Sequence, residues 1–194
     1  MPNRTADTLD AAADPARDIR SIVAEEVARE LARRDRALPC KKLAILVFSG
    51  EMDRVFSALA MANAAAAMGM DATVFFSFWG AAVLRKAASP AGKPLIERLL
   101  GRMMPAGPDV LPVSRMNFGG LGAVFFRWWM GKKQMQSLTE MLDDARDLGV
   151  RLMICETSLA VMGFRRDEII AGVESCGVTG FLRHASESGP VLFV

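Results

Sequence analysis

The hydrophobic pattern of this chain changes period near residue 40. Upstream, Ile19, Ile22, Val23, Val27 and Leu31 recur three and four positions apart, with Arg17, Glu25, Arg29 and Arg33 on other faces. That spacing predicts one amphipathic helix. Asp14-Pro15 offers an N-cap and a first helical residue, and the pattern stops before Leu38-Pro39. The segment is too short for a sustained coiled coil. Docking on its own domain or a neighbouring subunit, and a frayed terminal arm, are the two readings. Downstream, residues 42–48 are an almost unbroken apolar run closed by Ser49-Gly50. Short runs of this kind fit strands buried on both faces of a parallel sheet. An alanine-rich helix over 53–68 ends at Gly69, and a second strand covers 72–78. Helices are predicted near 81–88, 95–100 and 137–148, the last closed by Gly149. A strand at 151–155, short helices at 158–162 and 166–173, an ambiguous 178–181 and a terminal strand at 190–194 follow.

Alternating strands and helices with short connections mean α/β. We expect a parallel sheet of about five strands with helices on both faces, plus the N-terminal amphipathic helix. The domains read as a helical extension at 1–40 and an α/β domain at 41–194, with a long insertion at about 101–136. A connection of that length inside a compact domain serves function or an interface.

Composition then removes several function classes. The chain has 194 residues, 52% of them hydrophobic, which excludes wholesale disorder. A net charge of +2 from 24 basic and 22 acidic residues argues against nucleic acid as a partner. The basic excess gathers at 85–133, where it fits steering of an acidic partner. One histidine and no Cys-x-x-Cys pair exclude a histidine-rich metal centre or a zinc knuckle. Three cysteines at irregular spacing do not make a disulfide framework. The first residues lack the apolar core of a signal peptide, and no run reaches the ~18–20 apolar residues of a membrane span. The expectation is a reduced, cytoplasmic protein. Residues 125–133 mix aromatics and cations, and packing at a subunit contact is favoured there over a membrane surface. Gly119-Gly120-Leu121-Gly122 lacks the dinucleotide spacing, and no P-loop or nucleophile elbow exists, so no cofactor is expected.

Ligands and reactive groups in an open parallel sheet collect beyond the carboxyl ends of its strands. Three strands deliver residues there: Ser49-Gly50-Glu51-Met52-Asp53, Ser77-Phe78-Trp79-Gly80 and Cys155-Glu156-Thr157-Ser158. Cys155 is the candidate catalytic residue. It ends a strand, and Thr157 or Ser158 is placed to cap the next helix. A helix N-terminus favours the thiolate, the species that attacks sulfur. The other reading, a small buried hydrophobe, stays open on pattern alone. Cys40 enters the sheet at its amino edge, Cys176 reads as packing in a helix end or loop, and His184 as a helix-surface residue. Whether these three assist Cys155 is left open.

The blocks just quoted are similar to those of the DsrE/DsrF/DsrH-like family, and specifically its larger DsrE subgroup, often labelled peroxiredoxin-like. The resemblance runs through Ser49–Asp53, Ala64–Met70, Phe75–Gly80, Met103-Met104-Pro105 with Gly107-Pro108, Ser114–Asn117 with Gly119-Gly120, and Cys155–Ser158 with Val161-Met162-Gly163. It is collinear over residues 42–194. It implies a cytoplasmic sulfur carrier or sulfurtransferase that holds sulfane sulfur as a persulfide on Cys155 and relays it between protein thiols. The implied partners are a TusA-type carrier and a rhodanese-like sulfurtransferase, and the implied assembly is a homo-oligomer, trimer or hexamer. Thr157 stands where subgroup members commonly have methionine. No Thr-x-x-Cys supports the peroxiredoxin label. The alternative is a non-catalytic subunit or small-ligand binding module whose cysteine is structural.

Overall fold

In a computed structural model of the chain, residues 15–37, 40–86 and 92–194 are described. The chain divides into two units, Met1–Pro39 and Cys40–Val194. The first contains helix α1, Pro15–Ala37. Its apolar stripe of Ile19, Ile22, Val23, Val27 and Leu31 is 53–62% exposed, and Arg29–Glu26 (3.0 Å) and Arg33–Glu30 (3.3 Å) pair one turn apart. The cap expected at Asp14 and the stop at Leu38-Pro39 lie outside the described residues.

Parallel pairing organises the second unit. Strands β1 (Lys42–Val47), β2 (Asp71–Phe76), β3 (Arg151–Cys155), β4 (Glu174–Cys176) and β5 (Val191–Phe193) form one sheet in the order β4-β3-β2-β1-β5. Every pair is parallel. Strand alternation then divides the side chains between two faces. Leu43, Ile45, Val47, Val74, Phe76, Leu152 and Ile154 belong to the main core, with Val55, Leu59 and Ala62 of α2 (Met52–Ala67) and Met141, Leu142 and Ala145 of α5 (Leu138–Asp147). Alanines along α2 let α5 approach closely, and the Asn63 side chain donates to the Met141 carbonyl at 2.9 Å. Helix α5 starts at a capping box in which Ser137 and Glu140 satisfy each other's backbone N–H. On the opposite face Ala44, Phe75, Met153 and Cys155 lie with Phe181 and Ala185 of α7 (Val178–Ser186). Phe75 and Phe181 stack there at 4.7 Å.

Three predicted elements differ. The helix expected at 81–88 is a 3-10 stretch, Phe78–Leu84, and residues 87–88 lie outside the described residues. The helix expected at 166–173 is a single 3-10 turn, Arg166–Glu168. Tertiary pairing wins over local preference here: Ile169 bridges Arg85, and the Ile170 N–H donates to the Leu84 carbonyl at 2.9 Å. Residues 174–176, read as helix end or loop, form β4. The ambiguous 178–181 opens α7.

The long insertion carries more order than a connection. It holds the end of α3 (Leu95–Met103) and all of α4 (Leu121–Lys132). Its anchor on the sheet domain is Asp53, whose carboxylate accepts from the Ser114 N–H (2.9 Å) and hydroxyl (2.5 Å). Gly122 is required at the start of α4, because an added Cβ would meet the Met116 carbonyl at 1.8 Å. Leu95, Ile96, Met103, Phe118 and Leu121 are nevertheless 72–82% exposed. The basic excess assigned to this region is smaller at the surface than the sequence suggests. Arg85 and Lys93 are buried on Glu168, and Arg85 also lies over the Phe164 ring at 4.2 Å. Among the described residues, no helix is long and apolar enough to cross a membrane.

Candidate functional site: the carboxyl edge of the sheet

Strands β1, β2 and β3 end side by side, so three loops leave the sheet at one edge. Two glycines set how closely the first two loops pack. A Cβ on Gly80 would lie 2.2 Å from the Val47 carbonyl oxygen, and one on Gly50 would lie 2.7 Å from that of Trp79. With both absent, the Ser77 N–H reaches the Val47 carbonyl at 2.9 Å and the Gly80 N–H reaches Phe48 at 2.9 Å. Phe78 between them takes φ = 51°, a left-handed conformation uncommon for a bulky residue. It is held there by its own N–H, which donates to the Ser158 hydroxyl at 2.8 Å. Ser77 and Ser158 hydroxyls meet at 3.2 Å.

Cys155 lies against this serine pair. It is itself the N-cap of α6 (Glu156–Met162), so Thr157 and Ser158 fall in the first turn rather than capping it. The thiol is 2% exposed. Burial pushes it up, but hydrogen bonds from the Ser158 hydroxyl and N–H, the Ser77 hydroxyl and the Thr157 N–H outweigh burial. The net effect holds it below a free thiol's value, because each donor favours the anion. Glu156, beside it in sequence, is exposed. A thiolate held this way is a nucleophile for electrophilic sulfur and a good leaving group when that sulfur departs.

The remaining sequence candidates separate. His184 sits on α7 against Arg151 (3.0 Å), at the other end of β3 from Cys155. The two form no dyad. Cys40 stays at the amino edge, against Gly189. Cys176 is a correction: it pairs in register with Cys155 and therefore shares the carboxyl edge. Its strand was missed because Glu174-Ser175-Cys176 is three residues long and polar, with no apolar alternation to announce it. Ser77 and Ser158 were placed at the right edge by strand order, yet nothing in one dimension pairs them. Among the described residues no group of three or more His, Cys, Asp or Glu could hold a metal ion. A cleft of about 300 Å³ bounded by Met130, Ser137 and Glu140 is lined by no cysteine.

Fold and edge together define a parallel α/β domain with a buried thiol at the carboxyl edge of its sheet, in surroundings that lower its pKa. The chain belongs to the DsrE/DsrF/DrsH-like family, whose profile matches residues 39–193. It is 34% identical over 155 residues to the uncharacterized protein YrkE of Bacillus subtilis, covering 79% of this chain and 97% of that protein. It is 29% identical over 162 residues to the sulfur carrier protein DsrE2 of Allochromatium vinosum, covering 79% and 98%. The crystal structure of ychN protein from E. coli is a distant likeness, with TM-score 0.45 and 14% identity over 79% of this chain and 99% of that one.

Proposed function

We propose that this protein carries sulfane sulfur as a persulfide on Cys155 and relays it between protein thiols. The observation that carries the reading is the convergence of Ser77, Thr157 and Ser158 donors on that thiol at the sheet's carboxyl edge. Membership of the family and similarity to a protein named as a sulfur carrier support it. In the charging step the thiolate attacks the outer sulfur of a donor persulfide. A new Sγ–S bond forms, the donor thiolate leaves, and no net electrons move. Discharge is the reverse step toward an acceptor thiol. A TusA-type carrier and a rhodanese-like sulfurtransferase in the cytoplasm are the proposed exchange partners, on the strength of the family resemblance. The exposed apolar residues of α3 and α4 support a homo-oligomer, and the family resemblance alone suggests a trimer or hexamer.

The near-complete burial of Cys155 favours one rival reading, a packing cysteine in a non-catalytic subunit or ligand-binding module. Intact-mass measurement after exposure to inorganic polysulfide separates the two. The carrier gains sulfur that a dithiol removes and that maps to the Cys155 peptide, and Cys155→Ser loses that share of the gain while the fold survives. Equal retention by Cys155→Ser rejects the carrier reading.

A further inference from the structure

A buried sulfur carrier poses a steric problem: a partner's thiol must approach the outer sulfur of the persulfide in line with the bond that breaks. Cys155 is 2% exposed, at the junction of β3 and α6. Its neighbour across the ladder is less enclosed. Cys176 is its in-register partner on the adjacent parallel strand, so the two side chains share one face. Both belong to the same apolar cluster, Cys155 buried and Cys176 half-buried. Neighbouring strands lie about 4.7–4.9 Å apart, inside the roughly 4.4–6.8 Å between Cα atoms that two linked sulfurs span.

We propose that Cys176 is a second station for the sulfur, the port through which a partner's thiol reaches Cys155. This rests on Cys155 holding the persulfide. In the internal step the Cys176 thiolate attacks the outer sulfur of Cys155–S–SH. The bond to Cys176 forms, the bond to Cys155 Sγ breaks, and the products are Cys176–S–SH and the Cys155 thiolate. Atoms and charge balance, and the sulfane sulfur is neither oxidised nor reduced. The negative charge moves from Cys176 to Cys155, where the hydrogen-bond donors are. The surroundings agree with that direction. Burial, the Cys155 charge and the carboxylates of Glu156 and Glu174 raise the Cys176 thiol, making it the stronger nucleophile once ionised, and Cys155 the better leaving group.

The test charges the full chain with inorganic polysulfide. Discharge is then followed to two acceptors, cyanide, which is small, and thiols tethered on dextran, which cannot enter the edge. Peptide mapping of charged wild type should find sulfur on both Cys155 and Cys176. Cys176→Ser and Cys176→Ala should still charge and still discharge to cyanide, while discharge to dextran thiols falls at least ten-fold. Unchanged discharge to dextran thiols, or no sulfur on Cys176 in wild type, overturns the port. Failure of the Cys176 variants to charge at all, with wild-type behaviour of Cys155→Ser, instead overturns the role of Cys155. Mild oxidation of wild type with diamide checks the adjacency without a variant. A disulfide joining the two peptides is expected, and its absence removes the port.

Discussion

One rung of the sheet places two thiols at the same height, and their surroundings drive them in opposite directions. Cys155 on β3 gathers donors from Ser77, Thr157 and Ser158, which outweigh its burial and favour the anion. Cys176 on β4 meets the Phe181 N–H, but burial and nearby negative charge prevail and favour the neutral thiol. The rung, the register and the chemical group are shared. The groups that close on each thiol make the difference: Cys155 meets the first turn of α6 and the Ser77 hydroxyl, and β4 is last in the sheet order among the described residues. The acidity of a thiol at this edge is therefore set by the donors and charges that close on it, more than by its place in the sheet.

That contrast can be broken most severely at Gly80. Gly80→Ala drives a Cβ into the Val47 carbonyl, so the loop serving Cys155 must move while β4 and α7 keep their contacts. A loss of about 3 kcal/mol in denaturant unfolding is expected, with the Cys155 titration moving up by more than that of Cys176 moves. A smaller effect follows from Ser158→Ala, which removes a donor to Cys155 and leaves the Phe78 N–H without its acceptor. The expected cost is about 1–3 kcal/mol, with site-resolved alkylation against pH showing an upward shift at Cys155 alone. Equal movement of both thiols would show that the serine acts on the edge as a whole.

The two thiols also leave opposite marks on stability against pH. For Cys155 the folded value lies below the unfolded ~8.5. Between those values the unfolded chain binds more protons, so its contribution to stability rises with pH across that window and is lost as pH falls through the folded value. For Cys176 the folded value lies above, so its contribution is present below ~8.5 and is lost as pH rises through the folded value. Subtracting the unfolding curve of Cys155→Ser from wild type should leave the rising component of Cys155 together with the part of the Cys176 component that the Cys155 charge produces. The smallest effect is at Lys132 and Lys133, which lie over Trp128 (5.9 Å) and Trp129 (5.1 Å) at the surface. Replacing both by glutamate should alter stability by no more than about 0.5 kcal/mol, yet slow association with an acidic partner at low salt.

Much of this arrangement was legible from residues alone where burial imposes a strong pattern. The apolar runs of β1, β2 and β3 announce strands buried on both faces, and the helix expected at 137–148 before Gly149 is α5. Cys155 was singled out because it directly follows one of those runs. The rest is set by tertiary contacts. Strand β4 is polar and short, so Cys176 was assigned away from the edge it occupies. Residues 166–173 look helical until Arg85 draws Glu168 inward and Ile169 pairs beside it. Helix α4 follows two glycines at positive φ and carries a run of aromatics without helical alternation, which reads as connection. Arg85 and Lys93 counted as surface charge in one dimension and are buried in three.

The most direct test of the central claim uses a chain whose only cysteine is Cys155, made by Cys40→Ser with Cys176→Ser. Charged with inorganic polysulfide, it should gain one sulfur atom per chain by intact mass, mapped to the Cys155 peptide and released by a dithiol. A folded protein of this kind that gains no sulfur would contradict the account.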